Sequence, residues 1–237
     1  MSQGEKRAMS FNIPEIENSG ERTSQEYVYA RLRNAIMVGA IPTGESLTMR
    51  GLAEQLDLSP TPIREALRRL SSESAIVSQD NRRMLIPYMT QGRFEDLIAT
   101  RITLECHAAL RALPYVSDIL IEEMRAIDMQ MDEALVRLDY DALTALNHVF
   151  HNRLYRANPD HISMPLVESI WLQLGPFQRE VISELGAFYE IDRHKEILTA
   201  LDNRDADGLS SAIQKDIEDG VAAAGRDAIA LRDDVVI

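Results

Sequence analysis

Leu52-Ala53-Glu54-Gln55-Leu56-Asp57-Leu58-Ser59-Pro60-Thr61-Pro62-Ile63-Arg64-Glu65-Ala66-Leu67-Arg68-Arg69-Leu70 is the stretch on which the reading of this chain turns. Thr48 caps a short helix over 49–56, and Ser59 caps a second over about 61–72. Pro62 sits in the first turn of the second helix, where its missing N–H costs nothing. Two β-like pieces follow, near 75–78 and 84–87, joined by the polar turn Gln79-Asp80-Asn81-Arg82. Two short helices, a tight turn and a small hairpin make a winged helix-turn-helix.

In such a motif the second helix enters the DNA major groove with its N-terminal residues facing base edges. Those residues are Thr61, Pro62 and Arg64, just past the cap Ser59, which is counted with the DNA-contacting residues. Short side chains at a helix start let the backbone approach the groove, and an arginine one turn in can fork onto a guanine edge or a phosphate. Arg50 opens the preceding helix, where it can grip the backbone, and Arg82 stands at the wing tip with Arg83 beside it. An isolated arginine-rich helix reads more simply as a solvated face, with Arg64, Arg68 and Arg69 in water. The ordered string of helix, turn, helix and wing favours the DNA reading.

Outward from this motif, residues 24–38 read as a helix capped by Ser24 and stopped by Gly39, and 41–45 as a turn. Residues 1–23 are polar and carry no sustained period, the pattern of a flexible arm. Beyond Thr90 the pattern is helical, over roughly 91–112, 117–138, 141–157, 164–184, 189–202 and 205–224. The expected fold is therefore mainly α: a winged helix-turn-helix over 24–88, an all-helical six-helix sensor over 91–225, and a tail from 226 to 237.

The 237 residues are 45% hydrophobic and 27% charged, enough apolar material for two cores. No apolar run approaches the roughly 18 residues that a membrane span needs. A single cysteine, Cys106, forbids an intrachain disulfide and suits a cytoplasmic location. The net charge of −13 argues against nucleic-acid binding when taken whole. Its distribution does not: residues 24–90 hold eight arginines against seven carboxylates, and the acidity lies beyond them.

Several C-terminal helices carry polar residues on their apolar stripes, and burial there demands partners. Arg101 and Glu105 share a stripe with Phe94, Leu97, Ile98 and Ala108; Asn147 and His151 share one with Leu143, Phe150 and Leu154. His194 lies in register with Leu198 and Leu201, and Asp216 with Leu209, Ala212 and Ile213. One such residue is usually a satisfied core group, whereas inward polar groups on four helices suggest a shared pocket. Asn147 and His151 are four apart, so both can reach one ion. With His194 and Asp216 they form a mixed N/O donor set suited to Zn, Ni, Mn or Fe. The linear spacing alone leaves convergence open. His148, turned about 100° from Asn147, reads as exposed, and Cys106 and Trp171 as packing.

The 52–70 stretch resembles the GntR signature, roughly "LA..LGVS.TPVREAL..L", and the resemblance extends over residues 24–88. It implies operator contacts for Arg50, Thr61 and Arg64. Residues 91–217 resemble the FCD ligand-binding domain of the FadR subfamily: Arg101 and Glu105 match its "R...E" helix, Asn147 to His151 its "D..FH", and His194 its "H..il.A" histidine. Asn158 matches an asparagine that often follows. Metal-binding members use one aspartate and three histidines. Carried onto this chain the set becomes Asn147, His151, His194 and Asp216, with Asn in place of Asp and Asp in place of His. The resemblance also implies a small carboxylate effector facing Arg101, Glu105 and Asn158, and a homodimer on a two-fold operator. Arg101 can equally serve only to neutralise Glu105.

The expectation is thus a DNA-binding regulator, a repressor, with a divalent metal, a double-stranded operator and a small organic acid as partners. A metal-free regulator sensing an acyl ligand is the first rival. A helical metallo-hydrolase is the second; it lacks an HExxH-type helix and leaves 48–87 unexplained.

Overall fold

The structure is a computed structural model that describes residues 11–16, 23–79, 83–185 and 193–233. The arginine expected at the wing tip, Arg82, lies outside them, as do the start of the helix expected at 189 and the last four residues of the tail.

The N-terminal half begins with helix α1, Ser24–Met37. Its cap is Thr23 rather than the expected Ser24: the Thr23 hydroxyl accepts from Glu26 N and the Glu26 carboxylate accepts from Thr23 N, a reciprocal pair that satisfies two orphan donors. Strand β1 (Ser46–Leu47) precedes α2 (Met49–Leu56), which Thr48 caps as expected. Asp57 ends α2 with φ of 51°, a left-handed turn that a short polar side chain tolerates. Helix α3 then runs Pro60–Ser72. Ser59 is its N-cap residue by backbone, but its side chain makes no capping bond. Strands β2 (Val77–Gln79) and β3 (Arg83–Leu85) form the wing. The sheet has three antiparallel strands in the order β1-β3-β2, with Leu47 opposite Met84 and Ser78 also opposite Met84. At two residues, β1 is too short to leave a period in the sequence.

Residues 11–16 are not the free arm expected for 1–23. Ile13 is fully buried and Phe11 nearly so among the residues of α1, α2 and α3. Gln55 donates to the Phe11 carbonyl, and Arg31 donates to the carbonyls of Ile13 and Pro14.

The C-terminal half contains α4 (Gln91–Ala112), α5 (Asp118–Val136), α6 (Tyr140–Tyr155), α7 (Met164–Leu185), α8 (His194–Asp202), α9 (Ala206–Ile217) and α10 (Ala223–Asp233). The helix expected over 205–224 is thus interrupted. A π turn, Glu218–Ala222, separates α9 from α10, with Gly220 at φ −78° and ψ −109°. The frayed tail expected from 226 is helical through Asp233, and Ala228 and Ile229 are buried. α10 holds its place because Gly225 lets the backbone lie against the ring of Phe94, which itself meets Phe177 edge-on at 5.3 Å.

Two cores result. One is filled by α1, α2, α3 and the wing, the other by α4 to α10. Helix α7 serves both. Trp171, Leu174 and Phe177 belong to the C-terminal core, whereas Leu172 is fully buried in the N-terminal one. Along the same side of α7, Glu168 pairs with Arg33 and Glu180 accepts from Thr43.

Candidate DNA surface and candidate metal centre

Ser59, Thr61 and Arg64 are all exposed at the N-terminal end of α3. The inward face of that helix is Pro62, Ile63, Ala66, Leu67 and Leu70, so Pro62, expected at the base edges, packs into the core instead, while Ser59, Thr61 and Arg64 stay turned outward. Among the described residues, Arg64 makes no ion pair. The other arginines are engaged: Arg68 with Glu65, and Arg69 with Glu73 while lying 3.7 Å over the Tyr29 ring. Arg50 is exposed and touches Glu54 one turn on. Arg50, Ser59 and Pro60 line one shallow depression with Arg83, which brings the first residue of β3 to the recognition surface.

In the C-terminal half, α6, α8 and α9 bring His151, His194 and Asp216 together. One ligand atom from each lies within 4.8 Å of the others. Both histidines are buried. His151 Nε2 stands 3.2 Å from Asp216 Oδ2, and His194 Nε2 stands 3.7 Å from Asp216 Oδ1. Asn147, one turn before His151, places Nδ2 3.3 Å from His194 Nε2, so turning its amide over aims the oxygen inward.

The outer nitrogens decide the tautomers. Tyr155 donates its hydroxyl to Glu105 Oε2 at 2.8 Å. Burial, reinforced by Glu105, raises its pKa well above the ordinary value, so the phenol keeps its proton. The Tyr155 oxygen therefore accepts from His151 Nδ1–H at 3.1 Å, leaving a lone pair on Nε2. Asp128, a buried carboxylate on α5, faces His194 Nδ1 at 3.6 Å and favours the same tautomer there. Among the described residues no donor satisfies that lone pair on His151 Nε2. A lone pair and a carboxylate oxygen 3.2 Å apart need a cation between them, either a proton or a metal ion. Burial opposes the charge of Asp216, yet His194, His151 and Arg101 hold its pKa down to about 2. The donor set fits a divalent ion.

Arg101 is buried on α4 and donates Nε to Glu105 Oε1 at 2.6 Å. Burial works against its charge, but Glu105 and then Asp216 raise its pKa above the ordinary value. Arg101 also lines a cavity of about 40 Å³ with Thr144, Asn147, Gln178, Arg193 and Asp216. Glu105 does not reach this cavity; it stands behind Arg101 and accepts from Trp171 Nε1 as well. Asn158 is not brought here either. It lies in the turn after α6, where its side chain accepts from Asp160 N.

Trp171, read as packing, and His148, read as exposed, are both polar participants. Trp171 donates to Glu105 at 2.6 Å. His148 is not exposed: it packs edge-on against Trp171 and bonds the Met37 carbonyl at 3.1 Å. Burial, with Arg101 and His151, lowers its pKa to about 4 and keeps it neutral, so Nε2–H is the donor. Asp128 was missed, although Ile121, Met124, Asp128 and Met131 form one buried stripe that a reading of α5 can find.

The family model for bacterial regulatory proteins of the gntR family matches residues 24–86, and that for the FCD domain matches residues 96–219. This chain belongs to the GntR family and carries an FCD domain. The HTH-type transcriptional regulator McbR of Escherichia coli is 24% identical over 194 residues, covering 81% of this chain and 88% of its own. The gluconate operon transcriptional repressor of Bacillus licheniformis is 25% identical, covering 81% of each. The solved E. coli McbR/YncC structure superposes with a TM-score of 0.82 at 22% identity, over 87% of this chain and 99% of that one. A putative GntR regulator from Rhodococcus sp. RHA1 gives a TM-score of 0.70 at 22% identity, over 84% and 96%. The chain is a transcriptional regulator with a DNA-binding GntR head and an FCD domain, a class that binds small-molecule effectors. Among the described residues no helix is long and apolar enough to cross a membrane.

Proposed function

We propose that this GntR-FCD regulator works in the cytoplasm as a homodimer on a two-fold operator, and that a small carboxylate bound beside a divalent metal controls its DNA affinity. The convergence of His151, His194 and Asp216, with the outer nitrogens of both imidazoles directed at Tyr155 and Asp128, supports the metal. Asn147 is the fourth donor. Two imidazoles and two oxygens suit Zn, Ni, Mn or Fe, and the ion would supply a Lewis-acidic anchor for an effector oxygen.

Arg101 is the effector clamp, because a guanidinium grips a carboxylate through two parallel bonds. It lines the same small cavity as Asn147 and Asp216. At about 40 Å³ that cavity suits a carboxylate of a few heavy atoms and is far below the roughly 300 Å³ of drug-sized sites. Glu105 holds Arg101 in place between ligands. DNA contacts fall to Arg50, Ser59, Thr61, Arg64 and the wing pair Arg82 and Arg83. An effector shifts DNA affinity only if it binds the two head arrangements differently. The named relatives include repressors, and repression relieved by effector is the sign carried over here. They are regulators, which favours sensing over catalysis at this centre.

A metal-free reading has one observation behind it. A cleft of about 1100 Å³ opens between the two halves, lined by Phe11, Met37, Val149 and Trp171 among others, and has room for an acyl chain. Elemental analysis of protein purified without added metal separates the readings. Near one equivalent of metal per chain, lost in His151→Ala/His194→Ala, is expected. No metal in the wild-type protein moves the effector search to the cleft.

A further inference from the structure

Glu105 is the junction of a polar path that leaves the metal centre and ends on the DNA-binding half. Its Oε2 accepts from Tyr155, whose oxygen accepts from His151. Its Oε1 is shared by Arg101 and Trp171, each at 2.6 Å. The Trp171 ring meets His148 with centroids 5.0 Å apart, and His148 donates to the carbonyl of Met37, the last residue of α1. Tyr155, Trp171 and Glu105 are all buried, so these bonds face little competition from water. The Met37 carbonyl is also one of the helix-end acceptors that lack a partner within the helix. His148 supplies that partner from the sensor half.

We propose that Glu105, Trp171 and His148 couple the centre to the head, so that a ligand drawing on His151 or Arg101 changes how the end of α1 is held. This rests on the metal reading above. When Arg101 turns toward an effector carboxylate, Oε1 loses one of its two donors and Trp171 becomes its sole partner. When an ion takes the His151 lone pair, Nδ1–H becomes a stronger donor to Tyr155, and the same carboxylate feels the change from its other oxygen. In both cases the indole moves or tightens, and its neighbour His148 carries the shift to Met37. The consequence is confined to the turn after α1, where Val38, Gly39 and Ala40 lead into the recognition unit.

The test uses full-length protein and Zn²⁺ alone as the probe. Zinc uptake is measured by elemental analysis, and hydrogen exchange is followed in the peptide covering 36–44. Trp171 is the sole tryptophan, so its emission reports the middle of the path without a label. In the wild-type protein zinc should alter exchange over 36–44 at least threefold and shift the emission. Trp171→Phe keeps a ring but removes the N–H, and His148→Phe keeps the ring contact but removes the Met37 bond. Both should take up zinc as the wild type does, with the exchange response lost. If the response survives in both variants, the path is wrong and α7 moves as a rigid rod instead. Zinc uptake with no exchange response in the wild type also overturns the path while leaving the metal reading standing. No uptake in the wild type overturns the metal reading and removes the upstream end of the path with it.

Discussion

A Cβ placed on Gly175 would lie 2.2 Å from the carbonyl oxygen of Met37. The middle of α7 and the end of α1 therefore meet backbone to backbone, and a neighbouring main chain cannot swing aside as a long side chain can. Gly175→Ala should destabilise the protein by about 1–3 kcal/mol, the usual range for overpacking. A lower urea midpoint, with increased proteolysis near residues 36–44, is the expected result. An unchanged midpoint would show that the two helices are free to part.

Arg64 should carry base or phosphate contact without carrying stability. Arg64→Ala is expected to weaken binding by about 1–3 kcal/mol at fixed salt. The fitting probe is a duplex that the wild-type protein has selected from a random pool. The melting temperature should hold, because this exposed arginine has no ion-pair partner among the described residues. Arg68→Ala, which removes an arginine already paired with Glu65, should cost less DNA affinity.

The buried pair Arg101 and Glu105 should behave non-additively. Glu105→Gln leaves a buried guanidinium without its carboxylate, a change of about 3–5 kcal/mol. Combining it with Arg101→Met removes the orphaned charge, while the Gln oxygen still accepts from Trp171 or Tyr155. Urea midpoints of the four proteins should give a double loss smaller than the sum of the singles by about 1–3 kcal/mol. Additive losses would place the pair in a wetter site than the structure shows.

Tyr29 should mark alkaline stability. Its hydroxyl donates to Glu73, and burial together with that carboxylate raises its pKa from 10.0 to about 12. Between those values the unfolded chain releases a proton that the folded chain retains, so stability falls as pH rises through this window. Below pH 10 the contribution of the bond to stability is complete. Tyr29→Phe should therefore be less stable than wild type at pH 8, and the gap should narrow by pH 11. Thermal melts at the two pH values read this directly; a constant gap would remove Tyr29 from the pH dependence.

How far the sequence could be read follows from the range of each interaction. The helix-turn-helix was legible because Thr48, Ser59, Pro62 and the hairpin act over a few residues. Asn147 and His151 were legible as a pair because four residues make one helical turn. Their meeting with His194 and Asp216 depends on how α6, α8 and α9 pack, which spacing along the chain does not encode. Trp171 and His148 were misread for a related reason. An indole on an apolar stripe looks like packing, and an imidazole off the stripe looks exposed, until the partner of its N–H is known, and those partners, Glu105 and Met37, lie 66 and 111 residues away. Phe11 and Ile13 were missed because two apolar residues in a polar segment show no period, although they fill the head core. Asn158 was carried over by resemblance alone, and its local turn takes up the side chain.

Leu172 gives the architecture a consequence for recombination and for protein engineering. It is an α7 residue, yet it completes the core of the half that ends near residue 88. A fragment truncated after the wing would expose the hole that this leucine fills, and a chimera joined at residue 90 would inherit a foreign plug. The exchangeable cassette in this chain is therefore discontinuous: a reading head together with a distant helix that fills its core. Grafting a new sensor onto this head means redesigning Glu168, Leu172 and Gly175 along with the linker.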